Sequence, residues 1–161
     1  MESRKQFLQR EIERFTEQIK YLIPSSREIP KLNEIDIYGT NKYLNEVAGG
    51  DHIIFIDFNK RYDLEARIKD AKTKKIKENL ELNKTRAGIL IADASGHGIT
   101  DGLVIAQLHQ AFLIGASYEL VQFGEITANL FEKINTRFYD SSSTADFITM
   151  CYGEISEKRS S

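Results

Sequence analysis

Residues 88–98 read Gly-Ile-Leu-Ile-Ala-Asp-Ala-Ser-Gly-His-Gly, an apolar run that ends in an aspartate and a glycine-rich loop. The run from Gly88 to Ala92 is short, aliphatic and followed by turn-forming residues, which predicts a buried strand. Beyond the loop, the apolar residues of positions 103–113 occur almost all round a helix, so we expect a long buried helix there. This stretch therefore predicts a strand, a loop and a helix with Asp93 at the junction.

Two further apolar runs predict strands elsewhere in the chain. Residues 53–56, Ile-Ile-Phe-Ile, follow a tight turn with the sequence Ala-Gly-Gly-Asp at 48–51, and residues 147–152 read Phe-Ile-Thr-Met-Cys-Tyr. Residues 35–39 alternate between apolar and polar side chains, which predicts a short additional strand. Cys151 lies inside an apolar run, so we expect it to be a small core residue rather than a nucleophile.

Apolar residues at spacings of three and four predict helices at the start and near the end of the chain. The N-terminal stripe is of heptad type and consists of Leu8, Ile12, Phe15, Ile19 and Leu22. Pro24 ends this helix, because proline lacks the N–H that a helix interior requires. The stripe either packs on its own domain or forms a dimerising or signal-relay helix. We assign residues 1–24 to this helix, residues 25–161 to the main domain, and a further helix to 124–138.

Length and composition favour one globular domain. The chain has 161 residues, of which 41% are hydrophobic and 29% charged, as in folded domains. No apolar run reaches the roughly 18–20 residues of a membrane span, and the first ten residues lack the apolar core of a secretory signal. One cysteine permits no intrachain disulfide, so we expect a cytoplasmic location and no membrane partner.

The charge is distributed unevenly along the chain. Segment 59–86 contains ten Lys and Arg residues against five acidic ones, a local charge of +5, whereas the whole chain carries −2. The remainder is therefore strongly acidic, and we expect no general binding of nucleic acid. Low β-propensity and an apolar face at Leu64, Ile68 and Ala71 predict that this segment is a mostly exposed helical insertion. It is either simply solvated or contacts an acidic partner or a nucleotide.

Two aspartates occupy positions that suit a metal site. Asp51 begins a predicted strand after two glycines, and Asp93 ends another before the glycine-rich loop. Carboxylates that meet where adjacent strands end can bind one hard cation, and a loop carbonyl can join them. The alternative is that Asp51 stabilises a turn and Asp93 caps the next helix. The loop matches neither the P-loop nor the dinucleotide-binding pattern, so nucleotide binding is disfavoured.

The order of these features resembles the PPM-type (protein phosphatase 2C-like) serine/threonine phosphatases, and in particular their bacterial SpoIIE/RsbU branch. The resemblance covers residues 12–155. It rests on Val-Ala-Gly-Gly-Asp at 47–51, Ile-Ala-Asp-Ala-Ser-Gly-His-Gly at 91–98 and Phe-Ile-Thr-Met at 147–150. The Gly-Gly-Asp triplet is also similar to that of diguanylate cyclases, but those continue with Glu-Phe, whereas His52 and Ile53 follow here.

The resemblance implies an α+β fold, a partial α-β-β-α phosphatase sandwich with a leading helix. It also implies two Mn²⁺ or Mg²⁺ ions, which Asp51, Asp93 and the carbonyl of Ala94 would hold. Water between the ions would attack phosphorus, so no catalytic side chain is required. Three residues would surround these ligands: Gly50, His52 and Gly96.

Two other histidines remain open in their roles. His97 lies in the glycine-rich loop and is either a general acid or a loop residue that orders the backbone. Its offset from Asp93 differs from that of the histidine in eukaryotic phosphatases. His109 lies within the predicted long helix, where we expect it to be packed or at the surface.

The implied activity is dephosphorylation of phosphoserine or phosphothreonine on a regulatory protein, such as an anti-sigma-factor antagonist. Two departures qualify it: segment 59–86 is longer than the usual link between the metal-bearing strands, and the late Asp-Gly of the family has no counterpart before Ser161. The chain is then a fragment, a natural truncation or a subunit that assembles as a homodimer. The alternative function is a catalytically inactive phosphatase-like module for binding or dimerisation in a signalling pathway.

Overall fold

A computed structural model describes residues 3–21, 28–42, 49–96, 99–141 and 147–157. Helices and strands are labelled here in chain order. They are α1 (Arg4–Lys20), β1 (Asp51–Asp57), α2 (Phe58–Arg61), α3 (Leu64–Lys69), α4 (Lys74–Leu82), a 3₁₀ turn (Asn83–Thr85), β2 (Arg86–Ala94), α5 (Ile99–Phe123), α6 (Ala128–Ser141) and β3 (Ile148–Ser156).

The strands form one antiparallel sheet in the order β1–β2–β3, so β2 is central. This confirms the strands predicted over 53–56, 88–92 and 147–152 and the mixed α+β class. Each strand extends a few residues beyond its apolar run, because the ladder hydrogen bonds continue where the side chains are no longer apolar.

One face of the sheet, the inner face, packs against α5 and α6. Side chains alternate between faces along a strand, so Ile54, Leu90 and Ala92 point to the same side. They join one core cluster with residues at spacings of three and four along α5, namely Ile105, Leu108, Phe112, Ala116 and Leu120. This core fixes the sheet against the long helix and thereby fixes the ends of the strands.

The opposite face, the outer face, is covered only in part. Gly39 lies so close to Phe55 that an added Cβ would be 2.9 Å from its ring. The strand predicted at 35–39 is wrong, however, because this segment lies over β1 without ladder pairing. The core position predicted for Cys151 is also wrong: Cys151 is exposed, beside Ile91, which is 55% exposed. An apolar run specifies a strand, but not that both its faces are covered.

Helix α5 confirms the long helix expected after the glycine-rich loop, but it is not buried all round. Several of its large apolar side chains are substantially exposed: Leu103, Ile114, Tyr118, Val121 and Phe123. The reason is that the sheet, α6 and the helices between β1 and β2 together leave part of the surface of α5 uncovered. The apolar composition of the other side therefore does not indicate burial in this chain.

The insertion between β1 and β2 is helical, as predicted, but it is more than an exposed appendage. Leu64, Ile68 and Leu80 are buried in the core cluster. Its helices begin at side-chain caps, for example where the Asp63 carboxylate accepts from the Ala66 N–H at 3.0 Å. Arg67 donates to the carbonyl and hydroxyl oxygens of Ser117 on α5.

Helix α6 begins at Ala128, later than the predicted 124. Gly124 has φ +73° and ends α5, because this left-handed conformation favours glycine and stops the helix. The buried Glu119 then accepts hydrogen bonds from the N–H and the hydroxyl of Thr127, which precedes α6. These contacts place the start of the helix at Ala128, and its end at Ser141 lies beyond the predicted 138.

Helix α1 confirms the predicted N-terminal helix, and its stripe is largely exposed where its side chains are described. Leu8 and Ile12 are 50% and 39% exposed. The predicted stop at Pro24 and the loop residue His97 lie outside the described residues. Among the residues that are described, no helix has the length and apolar character that crossing a membrane requires.

Candidate metal centre

The two predicted metal ligands lie directly opposite each other in the sheet. Asp51, the first residue of β1, is the register partner of Asp93 near the end of β2. Both side chains are exposed on the outer face. Opposite residues in an antiparallel pair have Cβ atoms about 4.5–5.5 Å apart, which lets two carboxylates share one cation. The structure therefore brings together two residues that are far apart in the chain.

This juxtaposition is unfavourable unless something neutralises it. Like charges directly opposite in a sheet destabilise the pairing. No salt bridge within the described part of the chain involves Asp51 or Asp93. A divalent cation with a preference for oxygen ligands would remove the repulsion, so the donor set fits Mg²⁺ or Mn²⁺.

The third predicted ligand, the Ala94 carbonyl, lies against the glycine turn. Ala94 N–H donates to the Gly50 carbonyl at 3.0 Å. A Cβ on Gly50 would be 2.3 Å from the Ala94 carbonyl oxygen and 2.8 Å from that of Gly96. Only glycine permits this approach, so Gly50 lets the start of β1 lie against the loop that follows Asp93.

Strand β3 holds this loop from the other side. The Ser95 N–H donates to the Phe147 carbonyl at 2.9 Å, and the Phe147 N–H donates to the Ser95 hydroxyl at 3.0 Å. Thr149 is the register partner of Asp93, and its hydroxyl donates to the Asp93 carbonyl at 3.3 Å. Asp51, Asp93 and Thr149 thus form one row across the sheet. Thr149 lies in a motif noted in the sequence, but its place beside the aspartates was not predicted.

A further carboxylate lies beside the loop. Gly96 has φ +140°, and a Cβ there would be 2.5 Å from the Asp101 carboxylate. Asp101 lies in the first turn of α5, where a negative charge is favourable. Asp101 was not predicted as a site residue, and the sequence feature that points to it is its position shortly after the glycine-rich loop. Within the described residues, no group of three or more His, Cys, Asp or Glu side chains has a metal-binding arrangement.

His52 follows Asp51 in β1, but its side chain lies on the inner face. It is buried, and its Nε2 lies 2.8 Å from Nδ1 of His109 on α5. Asn41 contacts the other ring nitrogen, Nδ1, at 3.4 Å. Burial lowers the pKa of both imidazoles to about 4, with a further lowering from His109 at His52 and from Arg61 at His109. The pair is therefore neutral at physiological pH.

Comparison with known families gives a match in the second half of the chain. The family model described as Stage II sporulation protein E (SpoIIE) matches residues 83–161. No curated protein and no solved structure matches the chain. The match supports a relationship to the SpoIIE/PPM-type phosphatases, and with it a possible phosphatase role. It includes Asp93, Ala94 and Gly96 but not Asp51, whose assignment rests on its register with Asp93.

Proposed function

We propose that this chain is a metal-dependent phosphatase that acts on phosphoserine or phosphothreonine in a regulatory protein. The proposal rests on the register of Asp51 opposite Asp93. Asp93 directly precedes the glycine-rich loop, which lies in the segment that the SpoIIE family model matches. Two carboxylates and a carbonyl are hard oxygen ligands, suited to Mn²⁺ or Mg²⁺. We infer that the sheet and helices form part of the layered phosphatase sandwich.

In this proposal Asp51, Asp93 and the Ala94 carbonyl would hold the ions. When bound, such ions acidify water and neutralise charge on the phosphoryl oxygens. Gly50 keeps the two halves of the site in contact, and the Ser95 and Thr149 hydrogen bonds hold the loop. A phosphorylated side chain can approach because both carboxylates are exposed on the outer face.

The test is phosphate release from a phosphoserine peptide with and without millimolar Mn²⁺. We expect Mn²⁺-dependent turnover that falls by at least about 100-fold in Asp93→Asn, which retains the size of the side chain but loses the charge. Asp70→Asn is the matched control, because Asp70 is an exposed aspartate in the insertion. Turnover that is equal in both variants, or absent from the folded wild type, contradicts the proposal.

A second candidate function is binding to a partner without turnover, through a phosphatase-like domain. It is favoured by the finding that the described residues offer two carboxylates, not three, in the row across the sheet. Under this hypothesis Mn²⁺ binds weakly or not at all and no phosphate is released, while a phosphorylated regulatory protein still binds.

The substrate type, an anti-sigma-factor antagonist in the cytoplasm, stays a prediction, as does a homodimer. The largely exposed stripe of α1 supports the dimer. Sedimentation of the chain with and without its first 22 residues would test it: the shortened chain should be monomeric, and an unchanged oligomer would contradict a role for α1.

A further inference from the structure

A chain of hydrogen bonds connects helix α5 to the backbone of a proposed metal ligand. The Asn41 amide nitrogen lies 3.2 Å from the Asp51 carbonyl oxygen and 3.4 Å from His52 Nδ1. His52 Nε2 then lies 2.8 Å from His109 Nδ1. The connection spans 57 residues of sequence between the two histidines and runs through the buried inner face.

The donors and acceptors in this chain have one consistent direction. A carbonyl oxygen only accepts, so the Asn41 group beside Asp51 must be the amide NH₂. The same NH₂ then donates to His52 Nδ1, which makes Nδ1 an acceptor and leaves the ring proton on Nε2. His52 Nε2–H donates to His109 Nδ1, so His109 carries its proton on Nε2. Each ring thus has one defined tautomer.

This arrangement holds Asp51 from the side opposite to Asp93. The Asn41 amide contacts both the Asp51 carbonyl and the ring of the next residue, His52. One side chain therefore holds two successive residues of β1. The His52 ring in turn is held by His109, whose helix is packed in the core through Leu108 and Phe112. A fixed carbonyl at Asp51 fixes the direction in which its side chain leaves the backbone.

We propose that His109 is a positioning residue for the Asp51 carboxylate, acting through His52 and Asn41. The proposal rests on the proposed function, because it assigns Asp51 to a metal centre. Groups that orient metal ligands from outside typically change metal affinity by 10–100-fold. In this proposal His109 raises metal affinity by orienting Asp51 and does not itself contact a metal.

The first experiment measures Mn²⁺ affinity by calorimetry in the full chain. His109→Leu removes the acceptor for His52, and we expect Mn²⁺ binding to weaken by about 10-fold. His109→Asn is the matched rescue, since its amide oxygen can take the place of Nδ1; its affinity should return to within about threefold of the wild type. Gln110 follows His109 in the sequence and is exposed, so Gln110→Leu should leave Mn²⁺ affinity unchanged.

A variant at the end of the hydrogen-bond series that lies nearest the surface distinguishes a loss of positioning from a loss of core stability. Asn41→Ala removes both amide hydrogen bonds from a half-buried position, and it should weaken Mn²⁺ binding as His109→Leu does. Leu120→Ala perturbs the core without touching the hydrogen bonds and should leave Mn²⁺ affinity unchanged in the folded protein.

Nitrogen-15 NMR of the histidine rings tests the geometry without any metal. The expected spectrum has His52 and His109 each protonated at Nε2 and not at Nδ1. The opposite tautomer at His52, or equal Mn²⁺ affinity in wild type and His109→Leu, overturns the proposal. A folded wild type that binds no Mn²⁺ overturns the proposed function as well, so the two failures are distinguishable.

Discussion

The two faces of the sheet differ most sharply at consecutive residues of β1. Asp51 is exposed on the outer face opposite another carboxylate, whereas His52, 1% exposed, is hydrogen-bonded on the inner face. The inner face combines apolar packing with the buried His52–His109 contact and stabilises the fold. The outer face opposes two like charges, which costs stability and suits a cation. Successive side chains of β1 point to opposite faces, so one face stabilises the fold and the other carries the proposed metal site.

The largest effect should come from the inner face. Phe112 is fully buried and contacts the rings of Phe131 and Tyr152. Phe112→Ala should lower the free energy of unfolding by about 3–5 kcal/mol, because it leaves a cavity. Urea denaturation measures this. A loss below about 1 kcal/mol would contradict the assignment of this face as the main source of stability.

The histidine pair predicts that stability depends on pH. Both imidazoles have a folded-state pKa of about 4 against an ordinary 6.5, so between these values the unfolded chain binds protons that the folded chain does not. The contribution of the neutral imidazoles to the free energy of unfolding is fully present above about pH 6.5. It is lost as the pH falls toward 4, by about 3 kcal/mol for one imidazole. Urea denaturation across this range should show a shallower slope for His109→Asn; an equal slope would place the pH dependence elsewhere.

The contact between the glycine turn and the loop can be tested with a matched pair of substitutions. Gly50→Ala places a Cβ 2.3 Å from the Ala94 carbonyl and should cost about 1–3 kcal/mol and weaken Mn²⁺ binding. Gly153→Ala, where nothing lies within 4 Å, should be neutral or slightly stabilising. Thermal denaturation compares the two. Equal effects would show that the close approach is unimportant.

The smallest effect is expected from Asp51 on the outer face. Asp51→Asn should stabilise the metal-free chain by about 0.2–1 kcal/mol, because it removes the repulsion with Asp93. The same substitution should abolish the gain in melting temperature that Mn²⁺ gives the wild type. Destabilisation of the metal-free chain by Asp51→Asn would mean that the outer face is not strained by its charges.

Much of the fold was predictable because local patterns decide it. The apolar runs of β1, β2 and β3 and the long apolar helix after the loop were correctly located. The segment 35–39 was not, since alternation indicates one covered face but does not supply a pairing partner. Cys151 and the exposed side of α5 were misassigned for a related reason: composition does not show which surfaces a neighbour covers.

The sequence by itself determined the elements and the two aspartates at their ends, because residue type and spacing act locally. Only the tertiary structure decided that Asp51 opposes Asp93, and that Thr149 completes their row. It alone joined His52 to His109 across 57 residues and placed Gly50 against the Ala94 carbonyl. Strand register and the docking of a helix on a sheet depend on burying one continuous core, a property of the whole chain rather than of any segment.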